Sequence, residues 1–551
     1  MDRVRPSFAL AVLLFLPASL AAQRAGKLAW DARTAEHLWN RAGFGAPPSE
    51  IERAVALGRE AFVAELLAGP SEVEEPFYPR ADRSELRERM RELTPEERKR
   101  EVGRMRDDEE ATLRDYLAWW VERMVRGEDP LLECMTLFWH GHFTSSMSDV
   151  KNAREMIAQN RLFRRHALGS FRELLHAIAR DAAMLEYLDN DVNRRESPNE
   201  NFARELMELF TLGEGNYSEQ DVKEAARAFT GWRHEDGEFR VVRRAHDDGE
   251  KTVLGRTGRL DGDDVLELLL EQEACPRFLA GKLLFHFEGA EPEAERLERY
   301  ARLLRANDYA IRPFLEALFL DPEFYRPEVL GTRITAPLDF LVGTTRRLGI
   351  DPPPRSLVFG AGVLGQKLFF PPNVKGWESG EAWITTASLM QRGNLAGFLL
   401  GEVSLRDFLD EETSGLEDSG PPAQAMAGEA GMEGGTGAGE DAALPRKRRS
   451  EGFGELRSLE RLGWRPRFHL SERLRRAGVS GDEGVVDALA GMLLGGDLEP
   501  DTRRSLVRYL GEERAKAGVS GTDWLDDSNG SEPILRRLAH LILSLPEGQL
   551  D

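Results

Sequence analysis

The sequence predicts an all-α protein, a large irregular helical body with one small β-hairpin. Three observations predict it. Apolar residues recur at the helical period in most segments, as in the stripe Leu174, Leu175, Ile178, Ala182, Leu185 and Leu188. Strand-like runs are confined to "EFRVVRRAHDDGEKTVLG", residues 238–255, where two short runs flank an Asp-Asp-Gly turn. The chain of 551 residues is 41% apolar, enough for a sizeable core, and no fixed-period repeat divides it.

In chain order, residues 1–22 read as a signal peptide. Arg3 and Arg5 precede "FALAVLLFLPASLAAQ", an apolar stretch too short to span a bilayer, then Pro17 and small residues suited to cleavage. Residues 23–409 form the helical main body. Two helical patterns over 30–67 are joined by "RAGFGAPPSE". Residues 72–115 mix Glu, Asp and Arg at helical spacing, as on solvated helices, with Pro95 splitting the run. Residues 116–143 are the most aromatic. Helices follow over 171–188, 199–212 and 221–232, then the hairpin, then helical patterns over 263–319. Residues 410–452 are rich in Gly, Ala and Glu and poor in large apolar residues, so they read as a disordered insertion. Residues 453–551 form a C-terminal helical part, expected to pack on the main body, with patterns at 485–494, 502–510 and 533–545.

The formal charge of −22 argues against general binding to nucleic acid or anionic membranes. No segment of the mature chain has the run of apolar residues a membrane span needs. The leader places the protein in the periplasm or outside the cell. Cys134 and Cys275, the only two cysteines, do not make a disulfide scaffold, although that compartment would permit a bridge.

The polar residues concentrate in "YLDNDVNRRESPNENFARELMELF", residues 187–210. On a helix at about 100° per residue, Glu200, Asn201, Arg204, Glu205 and Glu208 fall within an arc of about 140°. Phe202, Leu206, Met207 and Phe210 fall on the other side. Two readings compete for the start of this stretch. Ser197-Pro198-Asn199-Glu200 spells a capping box with proline at the first helical position. Counted from Asp189, the positions one, three, five, nine and twelve are Asp189, Asp191, Asn193, Ser197 and Glu200, the oxygen spacing of a calcium loop. Arg194 stands where such a loop needs glycine. Both readings need Ser197 and Glu200, so both cannot hold in full.

His140 and His142 would chelate one metal from a strand and diverge on a helix. The simpler reading is two histidines hydrogen-bonded to neighbours. His246 beside Asp247 and Asp248 reads first as a turn-former. "GAGVLG", residues 360–365, matches a dinucleotide fingerprint, but no βαβ pattern surrounds it. "FFPPNVKGWESGEAWITTASLMQR" reads as a loop packed by its own tryptophans.

Several phrases together carry a resemblance: "FWHGHFTSS", "AAMLEYLDNDVNRRESPNENFARELMELFTLG", "YSEQDVKEAARAFTGW", "HDDGEKTVLG", "FFPPNVKGW" and "AWITTASLMQR". The chain resembles the bacterial domain of unknown function 1800 family, from about residue 28 to residue 550. The resemblance implies an exported, mostly helical protein with no established reaction. It also implies a partner, an exported protein of the sulfatase-like domain of unknown function 1501 family, whose genes often lie beside those of this family.

Three functions therefore stand open. The first is a non-catalytic partner or helper of such a secreted sulfatase- or phosphatase-like protein. The second is an extracytoplasmic hydrolase of envelope or extracellular polymers, with Glu205 or Glu208 as acid or base near His140, His142 and Arg204. The third is a structural envelope protein.

Overall fold

The computed structural model describes residues 29–69, 73–78, 83–235, 237–403, 464–519, 521, 524–526 and 528–551. The expected leader at 1–22 and the expected Gly-rich insertion at 410–452 lie outside these. The described residues are mostly helical, with two small two-stranded antiparallel sheets. Among the described residues no helix is long and apolar enough to cross a membrane.

The charged run resolves into two helices, Arg83–Glu92 and Pro95–Arg126. Pro95 begins the second, because a missing N–H costs nothing at the first helical position. Thr94 caps it reciprocally with Glu97, donor to acceptor at 3.0 and 3.3 Å. The last turns of this helix bury Tyr116, Trp120 and Met124 and stop at Gly127, whose φ of 67° suits a left-handed cap. Against them pack the helices Pro130–His142 and Ala153–His166. Their shared core is aromatic: Phe143 meets Phe210 at 5.1 Å and Phe171 at 6.0 Å, and Trp139 meets Phe171 at 5.8 Å.

The stripe at 171–188 is buried, but it is carried by two helices, Phe171–Ile178 and Ala182–Tyr187. The break falls at Asp181, whose side chain accepts from the Met184 N–H at 3.0 Å and so starts a new helix.

The β region is also divided. Strand β1 (Trp232–Glu235) pairs with β2 (Glu238–Val241), and β3 (Lys251–Val253) pairs with β4 (Arg256–Gly258). The expected single hairpin is corrected to two. The second turns at Leu254-Gly255, with φ of 49° and 80°, the signs a two-residue hairpin loop requires. Asp247-Asp248-Gly249 is no hairpin turn. It is a local turn in which Asp247 accepts from the Gly249 N–H at 2.8 Å and from Arg227 at 2.8 Å. His246 Nδ1 donates to the Thr230 carbonyl at 2.8 Å. "GAGVLG" lies at the end of the helix Pro354–Val363.

The C-terminal helices are Leu470–Arg476, Gly481–Leu493, Pro500–Ala517 and Ser528–Ser544. The last lies along Thr386–Leu400. At Gly397 a Cβ would stand 2.5 Å from Val403 and 2.9 Å from His540, so only glycine permits that approach. Cys134 and Cys275 are buried thiols, unbridged.

Candidate functional site

The asparagines of the 187–210 stretch hold its loop in shape. Asn190 is buried and donates to the Trp232 carbonyl at 3.2 Å. Asn193, also buried, donates to the Ala226 carbonyl at 2.9 Å and to Asn190 Oδ1 at 3.0 Å. Its own Oδ1 accepts from the Asn199 N–H at 2.9 Å. Asn199 Oδ1 in turn accepts from the Asn201 N–H at 2.9 Å. The helix therefore begins at Asn201, and the expected Ser197–Glu200 capping box does not form. Asn199 Oδ1 serves the N–H of Asn201, the first residue of that helix.

The five residues expected at a calcium loop are dispersed in their duties. The Asn193 side chain is spent on protein groups. Glu200 accepts from Arg204 at 3.1 Å. Asp189 and Ser197 are exposed, and Asp191 is half-buried. Burial first, and then the charges of Asp191 and Asp149, raise the Asp189 carboxyl above its ordinary range.

The helix from Asn201 widens into a π-helix over Leu206–Thr211. Such turns recur at functional sites because they re-aim side chains. Thr211 Oγ1 donates to the Leu206 carbonyl at 2.7 Å, and His142 Nε2 donates to the Phe210 carbonyl at 3.1 Å. His142 thus props this helix end from beneath. His140 Nε2 accepts from the Phe369 N–H at 3.1 Å, among the rings of Trp120, Phe369 and Trp377. Burial depresses both imidazoles to about 3, helped at His142 by Lys282, so both are neutral. The two expected catalytic histidines lie in the aromatic core, placed by the helix Pro130–His142. The loop before Trp377 closes over them, with Gly376 at φ 88°, where a Cβ would be 2.6 Å from the Gly141 carbonyl.

Arg204 turns aside to Glu219 at 2.7 Å and to Glu200. Glu205 and Glu208 stay together. Burial and the Glu208 charge raise the Glu205 carboxyl, against the pull of Arg204 and Lys375. Glu208 accepts from the Tyr217 hydroxyl at 2.7 Å. Burial, and next Asp149 and Glu205, push the Tyr187 hydroxyl up to about 12. One face thus combines Asp149, Tyr187, Asp189, Asp191, Glu205, Glu208, Tyr217 and Lys375. Asp149, Tyr187, Tyr217 and Lys375 are not among the residues expected from sequence. The available signal was that they sit in or beside the quoted phrases, whose spacing alone does not show that they converge.

A family model described as "Protein of unknown function (DUF1800)" matches residues 37–550 of the chain. No curated protein matches the chain, and no solved structure does.

Proposed function

We propose that this chain, which belongs to the DUF1800 family, is an exported helical partner protein that receives a cationic segment of another secreted protein. The observation that carries this reading is the face at Glu205 and Glu208. Five carboxylates and two tyrosines from separate segments act on one another there, with Lys375 beside Glu205, while Arg204 is neutralised by Glu200 and Glu219. A face of one sign on a rigid scaffold steers and selects an oppositely charged partner. The leader at 1–22 supports action outside the cytoplasm, in the periplasm or beyond. The partner class is the sulfatase-like family that the resemblance names.

A second reading, a hydrolase of envelope or extracellular polymers, is favoured by one observation. Glu205, with its raised carboxyl, stands beside Glu208, held by Tyr217. Two carboxyls with unequal environments are what acid–base chemistry uses. Glu205→Gln distinguishes the two readings. Because its carboxyl is raised in the fold, the stability Glu205 lends is present at acid pH and lost as pH rises through its folded value. At neutral pH the amide should therefore change stability by no more than about 0.5 kcal/mol. A hydrolase would lose about 10²–10⁴-fold in turnover with this variant. A docking protein would show no turnover to lose. Its affinity for a purified sulfatase-like partner, by titration calorimetry, should fall at least tenfold in the charge-reversing pair Glu205→Lys and Glu208→Lys. Partner binding that ignores both reversals sinks the docking reading.

Calcium at residues 189–200 is a proposal that rests on the neighbouring carboxylates Asp189 and Asp191. Calcium added to metal-stripped protein should raise the melting temperature, because a ligand of the native state stabilises it by mass action. Superimposable curves with and without calcium remove it.

A further inference from the structure

Beside the acidic face lies a second group of side chains, from three elements the sequence does not link. Glu155 lies in the first turn of the helix Ala153–His166, Glu186 near the end of Ala182–Tyr187, and His234 in β1. One ligand atom from each lies within 4.8 Å of the other two. Among the described residues this is the one group of three or more histidine, cysteine or acidic side chains that converges so.

His234 presents a different ring nitrogen to each carboxylate, and one ion would take one of the two, with an oxygen from each glutamate inside the 4.8 Å group. His234 Nδ1 stands 3.9 Å from a Glu155 oxygen, and Nε2 stands 3.7 Å from a Glu186 oxygen. Both exceed a hydrogen bond. Ligands roughly 2.0–2.2 Å from one zinc-like ion, at tetrahedral to trigonal angles, stand roughly 3.3–3.8 Å apart, so a group within 4.8 Å closes on an ion by small side-chain rotations. The His234 side chain is only 6% exposed, and its Nδ1 has no hydrogen-bond partner. A buried ring nitrogen that faces a carboxylate and has no hydrogen-bond partner is a strong sign of a ligand, because burying an unsatisfied polar atom is costly.

The surrounding structure fixes all three carriers. Asn190 donates to the Trp232 carbonyl and so sets β1, two residues before His234. Gln159, one turn beyond Glu155, donates to Asp181 at 2.8 Å, and Asp181 caps the helix that carries Glu186. Each backbone is positioned without the three ligands having to hold it. Glu155 is buried and Glu186 is about a third exposed, which leaves an approach from the side of Glu186.

We propose that Glu155, Glu186 and His234 bind a divalent first-row transition ion of the zinc or manganese class. Two carboxylates balance its charge, and one imidazole nitrogen selects it over calcium and magnesium, which prefer all-oxygen sites. The ion ties Ala153–His166, Ala182–Tyr187 and β1 into one unit. Glu186 directly precedes Tyr187, so the ion also steadies the acidic face. This site does not depend on which reading of that face is correct.

Full-length protein stripped with a chelator and dialysed against Zn²⁺ should retain one equivalent, measured by elemental analysis. Co²⁺ in its place should show the visible bands of a low-coordinate nitrogen–oxygen site. His234→Gln and Glu186→Gln should each weaken Zn²⁺ binding at least tenfold. Excess Ca²⁺ should not displace the metal. Less than one equivalent bound by the wild type, or undiminished binding by the variants, overturns the proposal. Glu186→Gln decides the matter if His234→Gln fails to fold, because its side chain is the most exposed of the three.

Discussion

Replacing Glu133 with Gln should cost about 3–5 kcal/mol of stability, the usual loss when one member of a buried charge network is removed. Glu133 has no exposed surface. It accepts from Trp120 Nε1 at 2.9 Å, from Arg123 Nε at 2.8 Å and from Arg164 Nη2 at 3.0 Å. Arg164 also serves Glu75 and the Tyr116 hydroxyl, each at 3.0 Å, and Arg123 reaches Glu128 and Asp129 at the surface. The amide keeps the shape but removes the charge, so two guanidiniums are left facing a neutral group in the core. Denaturant unfolding measures the loss. Glu133 lies on the helix that carries His140 and His142, so the loss should loosen the prop under Phe210 as well. A loss below about 1 kcal/mol would mean that Glu75, Glu128 and Asp129 compensate both arginines, and the network would count for little.

What could be read in advance follows from what periodicity encodes. The period separates the buried face of 201–210 from the polar one, so Glu205 and Glu208 are legible as outward-facing and Phe202, Leu206 and Phe210 as core. Periodicity does not say which distant segments meet. Lys375 reaches Glu205 from far along the chain, and Phe369 and Trp377 bury His140 from more than 200 residues away. Histidines that could serve chemistry thus become core groups. The hairpin register escapes for a local reason: the second turn uses Leu254 at positive φ, a residue that carries no turn signal. Glu155, Glu186 and His234 obey no spacing rule because each comes from a different element.

Asp551→Asn should cost about 3–5 kcal/mol at neutral pH and should also remove part of the protein's acid sensitivity. Asp551 is buried and receives Arg333 in a two-pronged bond, Nε to Oδ1 at 2.8 Å and Nη2 to Oδ2 at 2.7 Å. Arg41, itself buried, lies 3.4 Å from Oδ1 and donates to the Asp551 carbonyl at 2.9 Å. Burial alone would raise the carboxyl, but Arg333 and Arg41 overcome it and hold Asp551 down to about 2. The lowered value fixes the sign. The stability Asp551 supplies is complete above the ordinary carboxyl range near 4 and is lost as pH falls toward 2. A displacement of nearly two units corresponds to about 2–3 kcal/mol over that window. Asp339, also against Arg333, has the opposite sign: burial, despite Arg333, pushes it up to about 6, so its contribution is lost as pH rises through that value. Unfolding free energies of wild type and Asp551→Asn between pH 7 and pH 2 should draw together on the acid side. With the amide in place, Arg41 and Arg333 face each other across the core without the charge that separates them. Parallel curves that never converge would show that this ion pair does not carry the acid limb, and that Asp551 matters to the fold through its backbone bonds to Arg41 and Arg333 instead.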